Sequence, residues 1–401
     1  MEIQAEKQKE YRLMSIIYAY IISISFMNML IGVVFKTGGM VINIGVICVI
    51  AALNIKQIIN ISVRSKVILF TVFIIAYYLM TDMLSYSSLP NNEFYFYFLA
   101  ASFFGVFKCD VEKVLRYIMY ISLLAIPFHN DILGKISDFG SGALIDMGRS
   151  FSMFPVFFAG IIHFFFFRRQ GKIFDKICYI FNSFFLLEII LGGTRSIVLT
   201  AAITVFCLYL KNWGVDKKTK KMTLRLFVVM IAVALIYSHF YQILDWLNEQ
   251  LLSFDIEANF IQKILRLKKE GDVSNGRDSI TEYTLKAINE SPFWGHGIST
   301  IFYNSNYRIN YPHNFILQLF YDGGLLLAIP VLKILYTAIH DAFNGENRKR
   351  STFLLYMLLI CVPKMFFSTD MWGNAPFWLM IAYTLQHVSR QSKSENKEVI
   401  Q

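Results

Sequence analysis

The sequence predicts an all-α integral membrane protein that crosses the bilayer about twelve times, with a large, partly helical outer loop. Of its 401 residues, 56% are hydrophobic and only 16% are charged, whereas soluble proteins contain about 45–50% apolar and about 25% charged residues. The apolar residues occur in runs close to the length of about 20 residues that a helix needs to span a membrane. Short segments rich in lysine and arginine separate these runs. Together these features exclude a soluble globular protein.

Twelve apolar runs can be placed along the chain. The predicted spans are residues 14–35, 39–54, 67–84, 94–107, 114–128, 151–167, 177–193, 196–210, 226–243, 315–338, 352–368 and 371–388. The first run ends without a small-residue cleavage site, so we interpret it as a retained span rather than a signal peptide. We expect residues 1–401 to form a single membrane domain, with a disordered cytoplasmic tail over 389–401.

The distribution of positive charge supports this topology. With the N-terminus placed in the cytoplasm, the inner segments carry 25 of the 38 lysines and arginines, and each inner segment has at least three. Cytoplasmic loops of membrane proteins are enriched in these residues. We therefore attribute the net charge of +10 to topology and expect no nucleic-acid partner. All five cysteines fall in spans or inner segments, so we expect neither a disulfide nor a metal site.

Residues 244–314 form an exceptionally long outer loop between the ninth and tenth spans. Loops longer than about 15 residues are usually either functional or disordered. Apolar residues recur at roughly helical spacing over 243–265, which predicts amphipathic helices lying on the outer membrane face. A turn-rich stretch follows, then a helical pattern over 280–290 and a compact turn, SPFWGHGIST, over 291–300.

Three outer-face arginines and one histidine are candidate functional residues. Arg149 begins the sixth span, Arg195 lies in the Gly-rich turn GGTRS, and Arg277 lies in the NGRDS turn of the long loop. Arginine binds phosphate in a bidentate manner, and helix starts and Gly-rich turns add free backbone N–H groups. His313 opens the tenth span at the membrane surface, and a neutral imidazole is suited to general-base chemistry near pH 7.

Each of these residues also has a structural interpretation. An outer-face arginine is commonly a solvated or headgroup-contacting charge, and a histidine at a helix start is often a cap or an interfacial residue. His296 is a further outer candidate, but its flanking glycines favour a turn. Within the spans, Glu188 is placed to orient Arg195, while Lys364 either reaches a phosphate or extends outward to the membrane surface. Asp322, also within a span, receives no assignment.

Several of these residues occur in an order typical of one protein family. The pieces are Gly193-Thr194-Arg195-Ser196, Arg277, Ser291–Gly297, His313-Asn314 and Gly323–Leu326. Over about 191–330 this arrangement resembles the shared core of the O-antigen polymerase and O-antigen ligase superfamily. Arg149 and Gly160, with ten residues between them, also resemble an Arg-x10-Gly pattern of the polymerases.

The resemblance implies an inverting, metal-independent membrane glycosyltransferase of the C superfamily, without a cofactor. Its donor would be an oligosaccharide on undecaprenyl pyrophosphate. Arg195, Arg277 and Arg149 would hold the pyrophosphate, because preorganised cations stabilise the charge that develops on this leaving group. His313 would deprotonate the acceptor hydroxyl. The supporting candidates are Asn314, Glu188 and Lys364.

The predicted function is polymerisation of O-antigen repeat units, by transfer to the non-reducing end of a lipid-linked unit. The alternative is an O-antigen ligase, which would use lipid A–core as acceptor. A transporter of lipid-linked oligosaccharide is the alternative from another class, and it would require charges along a path through both leaflets. We expect a location in the bacterial inner membrane, both termini in the cytoplasm and the active site on the outer face. The other expected partners are membrane lipid and a polysaccharide chain-length regulator.

Overall fold

The computed structural model is helical throughout the residues that it describes, with no strand among them. The described residues are 2–35, 40–53, 55–59, 63–85, 95–128, 147–168, 172–192, 195–213, 240–254, 259–270, 277–306, 308–367 and 370–387. The predicted all-α class is therefore confirmed for this part of the chain. A helix satisfies its own backbone hydrogen bonds, which is what a long apolar segment requires in lipid.

Short connections join most of the helices of the N-terminal region. These helices are α1 (Glu2–Ile22), α2 (Ile24–Phe35), α3 (Met40–Leu53), α4 (Ile55–Ile59), α5 (Ser65–Ser85), a π-helix (Tyr95–Ala100), α6 (Ala101–Phe104), α7 (Val111–Ile121), a 3-10 helix (Ser122–Phe128), α8 (Met147–Phe167), α9 (Ile173–Gly192) and α10 (Arg195–Trp213).

The segments predicted as the long outer loop and the C-terminal spans contribute the remaining described helices. They are α11 (Phe240–Ser253), α12 (Asn259–Glu270), α13 (Arg277–Glu290), α14 (Ile301–Asn304), α15 (Phe315–Asn344), α16 (Arg348–Phe367) and α17 (Ala375–Gln386). Between α13 and α14 lies the compact turn over residues 291–300, which we call the docking turn. The helices predicted in the outer loop and the predicted turn are both confirmed.

One described helix, α15, with 30 residues, is by itself long and apolar enough to cross a membrane. Arg12–Ile22 and Ile24–Phe35 meet the same criterion together, but a bend of 68° separates them. A helix lies in each of the predicted spans except the ninth, most of which falls outside the described residues, as does the tail over 389–401. Twelve spans thus remain a prediction.

The chain divides into two compact units. Unit 1 comprises Met1–Ile24, Met40–Tyr117 and Thr281–Gln401, and unit 2 comprises Ser25–Gly39 and Ile118–Ile280. Each unit has its own buried residues, described separately below.

Unit 1 is organised around α15, α16 and α17, which pack against one another. Aromatic side chains fill its centre: the rings of Trp372 and Trp378 stack at 4.9 Å, and Phe98 meets Trp378 edge-on at the same distance. The buried Tyr18 hydroxyl donates to the Gly105 carbonyl at 2.9 Å, at the C-terminal end of α6. Such aromatic contacts add about 0.5–1.5 kcal/mol each beyond simple burial.

Unit 2 contains the packed pair α8 and α9, with α10 and α12 against them. Gly160 of α8 allows the close approach, because a Cβ there would lie 2.8 Å from Cβ of Asn182. Phe157 and Phe185 stack at 5.1 Å across the same interface. Arg149 and Arg195 lie in helices of this unit, α8 and α10, whereas α13, which begins with Arg277, has residues in both units.

Candidate active site

The tenth predicted span is interrupted where the docking turn meets it. Gly324 has φ 54° and ψ −153°, outside the helical region, so α15 consists of two helical pieces. In an uninterrupted helix, the next two N–H groups would donate to carbonyls four residues earlier. Instead, Leu325 N–H donates to the Pro292 carbonyl at 2.9 Å. Leu326 N–H donates to the Phe293 carbonyl at 3.2 Å.

The carbonyls released by this break are also occupied by the docking turn. His296 N–H donates to the Tyr321 carbonyl at 2.7 Å, and Gly297 N–H donates to the Asp322 carbonyl at 2.9 Å. Two missing helical hydrogen bonds are thus replaced by four bonds to one turn. An unsatisfied backbone group costs several kcal/mol in an apolar medium, so the break and the turn depend on each other.

Two glycines allow the backbones to approach so closely. Gly295 has φ 69°, and a Cβ there would lie 2.6 Å from the backbone nitrogen of Gly323. A Cβ on Gly324 would lie 2.4 Å from the carbonyl carbon of Phe293. The glycines of the two sequence motifs are therefore two sides of a single contact.

Two side chains hold the docking turn in place. The Tyr77 hydroxyl contacts the Trp294 carbonyl and, at 2.8 Å, the Asp322 carbonyl. His296 stacks on Tyr321 at 5.0 Å, and its Nε2 lies 2.6 Å from a backbone carbonyl of α13. These contacts give His296 a structural role, in agreement with its interpretation as part of a turn.

His313 and Asn314 occupy different positions at the start of α15. Asn314 is the N-cap: its Oδ1 accepts from the N–H groups of Ile316 at 2.9 Å and Leu317 at 3.2 Å. His313 precedes the cap, is half-buried, and its ring centroid lies 4.2 Å from that of Tyr311. The helix cap is thus supplied by Asn314, and the imidazole of His313 is not needed for it.

The segment that leads to His313 has an unusual backbone. Every described non-glycine residue with positive φ lies in it, namely Ser299, Asn306 and His313, the last at 54°. This conformation is uncommon outside glycine, costs about 1–3 kcal/mol and is concentrated at functional sites.

A buried polar cluster that the sequence did not reveal lies within the first turns of α15. The Asp322 carboxyl accepts from the Trp372 indole N–H at 2.7 Å. The Gln318 side chain contacts Asp370, and its Oε1 accepts from Met371 N–H at 3.1 Å. The sequence signals were the position of the acid Asp322 within a predicted span and its spacing of one helical turn from Gln318, which places the two on one face.

The predicted residues fall into both units. His313, Asn314 and Lys364 lie in unit 1, whereas Arg149, Glu188, Arg195 and Arg277 lie in unit 2. Half-buried Lys364 is in the last turn of α16, and the 5.9 Å contact between Phe315 and Phe366 brings that turn to the start of α15. Lys364 and His313 therefore occupy the same end of this helix pair.

The arginines share one feature, a position in the first turn of a helix. Arg195 is the first residue of α10, Arg277 is the first residue of α13, and Arg149 is in the first turn of α8. Arg277 was predicted in a turn, but helix begins at this residue, and its side chain is half-buried. The side chains of Arg149 and Arg195 lie outside the described set. Glu188 is half-buried in α9, and its orientation of Arg195 remains a prediction.

No group of three or more His, Cys, Asp and Glu residues that could hold a metal ion occurs in the described part of the chain. On α13, burial and the nearby Glu290 raise the pKa of the Tyr283 phenol above its usual value. That phenol is therefore neutral near pH 7.

Residues 180–332 match a family model described as O-antigen ligase. The resemblance to the O-antigen polymerase and ligase superfamily is confirmed. Proteins of this family are membrane-embedded and glycosyltransferase-like, and they act on lipid-linked polysaccharides. The matched segment includes Arg195, Arg277, the docking turn and His313. No curated protein and no solved structure matches the chain.

Proposed function

We propose that this protein is a polymerase of surface-polysaccharide (O-antigen) repeat units in lipopolysaccharide biosynthesis. It transfers glycan from undecaprenyl pyrophosphate to the non-reducing end of a lipid-linked repeat unit, with inversion and without a metal ion. The observation that carries the proposal is the docking turn in the break of α15, within the segment that matches the family. This contact brings the turn motif together with the glycines of α15, the helix that begins directly after His313 and Asn314.

His313 is the general base in this mechanism. It removes the proton from the acceptor hydroxyl as that oxygen attacks the anomeric carbon and the bond to the pyrophosphate breaks. The half-buried position of His313, outside the helical hydrogen bonding of α15, supports this role. A general base typically contributes about 10²–10⁴-fold to the rate.

Arg195, Arg277 and Arg149 bind the donor pyrophosphate. Their positions in first turns of helices support this role, because the N-terminal N–H groups and the helix dipole favour an anion. Cations held in place before the reaction stabilise the charge on the departing pyrophosphate. Lys364, at the same end of its helix pair as His313, is a further candidate for phosphate contact.

The topology that accompanies this mechanism has twelve spans, both termini in the cytoplasm and the reaction on the outer face of the plasma membrane. The positive charges of the inner segments support it. The pyrophosphate-linked donor also suits an outer location, because the glycosyl–pyrophosphate bond itself drives the transfer. A polysaccharide chain-length regulator would act on the same face.

An O-antigen ligase is the second candidate, favoured by the description of the matching family. The two activities use the same donor and the same base and differ in the acceptor. The experiment must therefore distinguish transfer to a lipid-linked repeat unit from transfer to lipid A–core.

The test is the surface lipopolysaccharide pattern of cells that lack the gene and carry the wild type, His313→Ala or a control. Core with a single repeat unit in the deletion strain supports the polymerase, whereas bare core with polymer retained on the lipid carrier identifies the ligase. His340→Ala is the matched control, because His340 is an exposed histidine near the other end of α15. An unchanged ladder without the gene would exclude both activities, and a full ladder with His313→Ala would exclude this base.

A further inference from the structure

The first two turns of α15, Phe315–Asp322, form a separate piece of structure. They directly follow His313 and Asn314, and two of the hydrogen bonds that would join them to the rest of the helix go to the docking turn instead. The rest of the span therefore fixes the position of this piece less firmly than it would in a continuous helix. Contacts of its own side chains must contribute to holding it.

Asp322 makes some of these contacts. Its side chain is buried, with the residue only 1% exposed. One carboxyl oxygen accepts from the Trp372 indole N–H at 2.7 Å, and the backbone N–H of Ser299 and the side chain of Gln318 also donate to this carboxyl. Ser299 belongs to the docking turn, and Trp372 follows α16, so Asp322 joins three segments.

Gln318 extends the same network by one helical turn toward His313. Its amide contacts Asp370, and the Asp370 carboxyl accepts from the backbone N–H of Trp372 at 3.2 Å. Consequently the piece of helix that follows the proposed base is attached to the segment after α16 at two successive turns.

We propose that Asp322 is a positioning residue that holds His313 in the geometry required for proton transfer, an inference that rests on the proposed function. Asp322 lies roughly 10 Å into α15, so it acts through the position of the helix start and not on the reacting atoms. All of its side-chain partners donate hydrogen bonds. Asp322→Asn keeps the size of the side chain but replaces one carboxyl oxygen with an NH₂ group, which cannot accept a hydrogen bond from these donors.

The test uses purified full-length protein in lipid nanodiscs, with turnover of a lipid-linked repeat unit and binding of undecaprenyl pyrophosphate measured separately. Asp322→Asn should lower kcat about 100-fold, as a displacement of about 1 Å can do. Binding of undecaprenyl pyrophosphate should stay unchanged, since no residue that contacts Asp322 is among the proposed donor-binding arginines. The pH dependence of kcat should also keep its midpoint.

Asp341→Asn is the matched control. Asp341 lies on the same helix and pairs with Arg350, but it is near the opposite end. This variant should turn over normally. Trp372→Phe is the second variant; it keeps the carboxyl but removes one donor, and it should lower kcat by about tenfold without changing the binding of undecaprenyl pyrophosphate.

Normal turnover in Asp322→Asn, or an equal loss in Asp341→Asn, would overturn the positioning role. So would a shifted pH midpoint, which would indicate that Asp322 acts through its charge, or weakened binding of undecaprenyl pyrophosphate. If Asp322→Asn does not fold, normal turnover in Trp372→Phe would overturn the role instead. His313→Ala is measured in parallel: full activity there would refute the proposed base, whereas an inactive His313→Ala beside a normal Asp322→Asn would refute only the inference about Asp322.

Discussion

Two parts of the segment predicted as the long outer loop are held in place by different forces. The α11–α12 hairpin buries a simple apolar seam, centred on Leu244 and Ile261, with four half-buried aliphatic neighbours. The docking turn instead exposes its aromatic side chains Phe293 and Trp294 and binds through its backbone to the break in α15. Apolar seams are non-directional, whereas backbone hydrogen bonds fix distance and angle. The comparison suggests that the hairpin tolerates substitution and that the docking turn does not.

The largest effect is expected from Gly324→Ala. A Cβ would lie 2.4 Å from the Phe293 backbone, at a φ that disfavours alanine, so the four exchanged hydrogen bonds cannot all form. We expect a loss of at least about 3 kcal/mol in stability and no detectable turnover. Thermal unfolding in detergent and the polysaccharide ladder measure these effects. Gly373→Ala is the control, because a Cβ there meets nothing within 4 Å; equal behaviour of the two variants would contradict the close docking.

Tyr77→Phe should have the next largest effect. It removes the hydroxyl that contacts the Trp294 and Asp322 carbonyls and leaves these buried acceptors with fewer donors. The expected cost is about 1–3 kcal/mol in the free energy of unfolding. Tyr336→Phe removes a hydroxyl from a tyrosine that is 69% exposed and should be neutral. A Tyr77→Phe protein as stable as wild type would show that the turn docks without this support.

Asn314→Ala tests the cap separately from the base. Loss of two hydrogen bonds to the first turn of α15 should cost about 1 kcal/mol, and Asn314→Ser should recover most of it. The unfolding temperatures of the wild type and the two variants measure the contribution of the cap to stability. Turnover of the same proteins shows whether loss of the cap impairs the catalytic role proposed for His313. Equal stability of the alanine and wild-type proteins would exclude a contribution from the cap.

The smallest effect is expected in the hairpin. Ile261→Val removes one methylene from the seam and should cost about 0.5–1.5 kcal/mol, detectable as faster hydrogen exchange in α11 and α12 with normal turnover. Leu252→Ala, at a side chain that is 44% exposed, is the control and should leave exchange unchanged. Loss of turnover in Ile261→Val would contradict the expectation that the hairpin tolerates substitution and the docking turn does not.

The sequence alone determined much of the architecture. Long apolar runs and helical spacing predicted helices that the structure contains, including those of the outer loop. Clustered Pro and Gly residues predicted the turn over 291–300, because these residues favour non-helical backbone. Residues of the candidate site could be named because they lie close together in sequence motifs, as His313 and Asn314 do.

The tertiary structure alone decided how those residues meet. Every residue has a backbone C=O group and every residue except proline has a backbone N–H group, so no local pattern shows that Leu325 bonds to Pro292 or Gly297 to Asp322. Asp322 and Trp372 are 50 positions apart in the sequence, so only the folded chain shows that the buried Asp322 carboxyl accepts a hydrogen bond from the Trp372 indole. Hydrophobic periodicity is a local property and can be read along the chain. The break in α15 depends on hydrogen bonds to the docking turn, which is a separate segment of the chain. These hydrogen bonds are therefore known only from the tertiary structure.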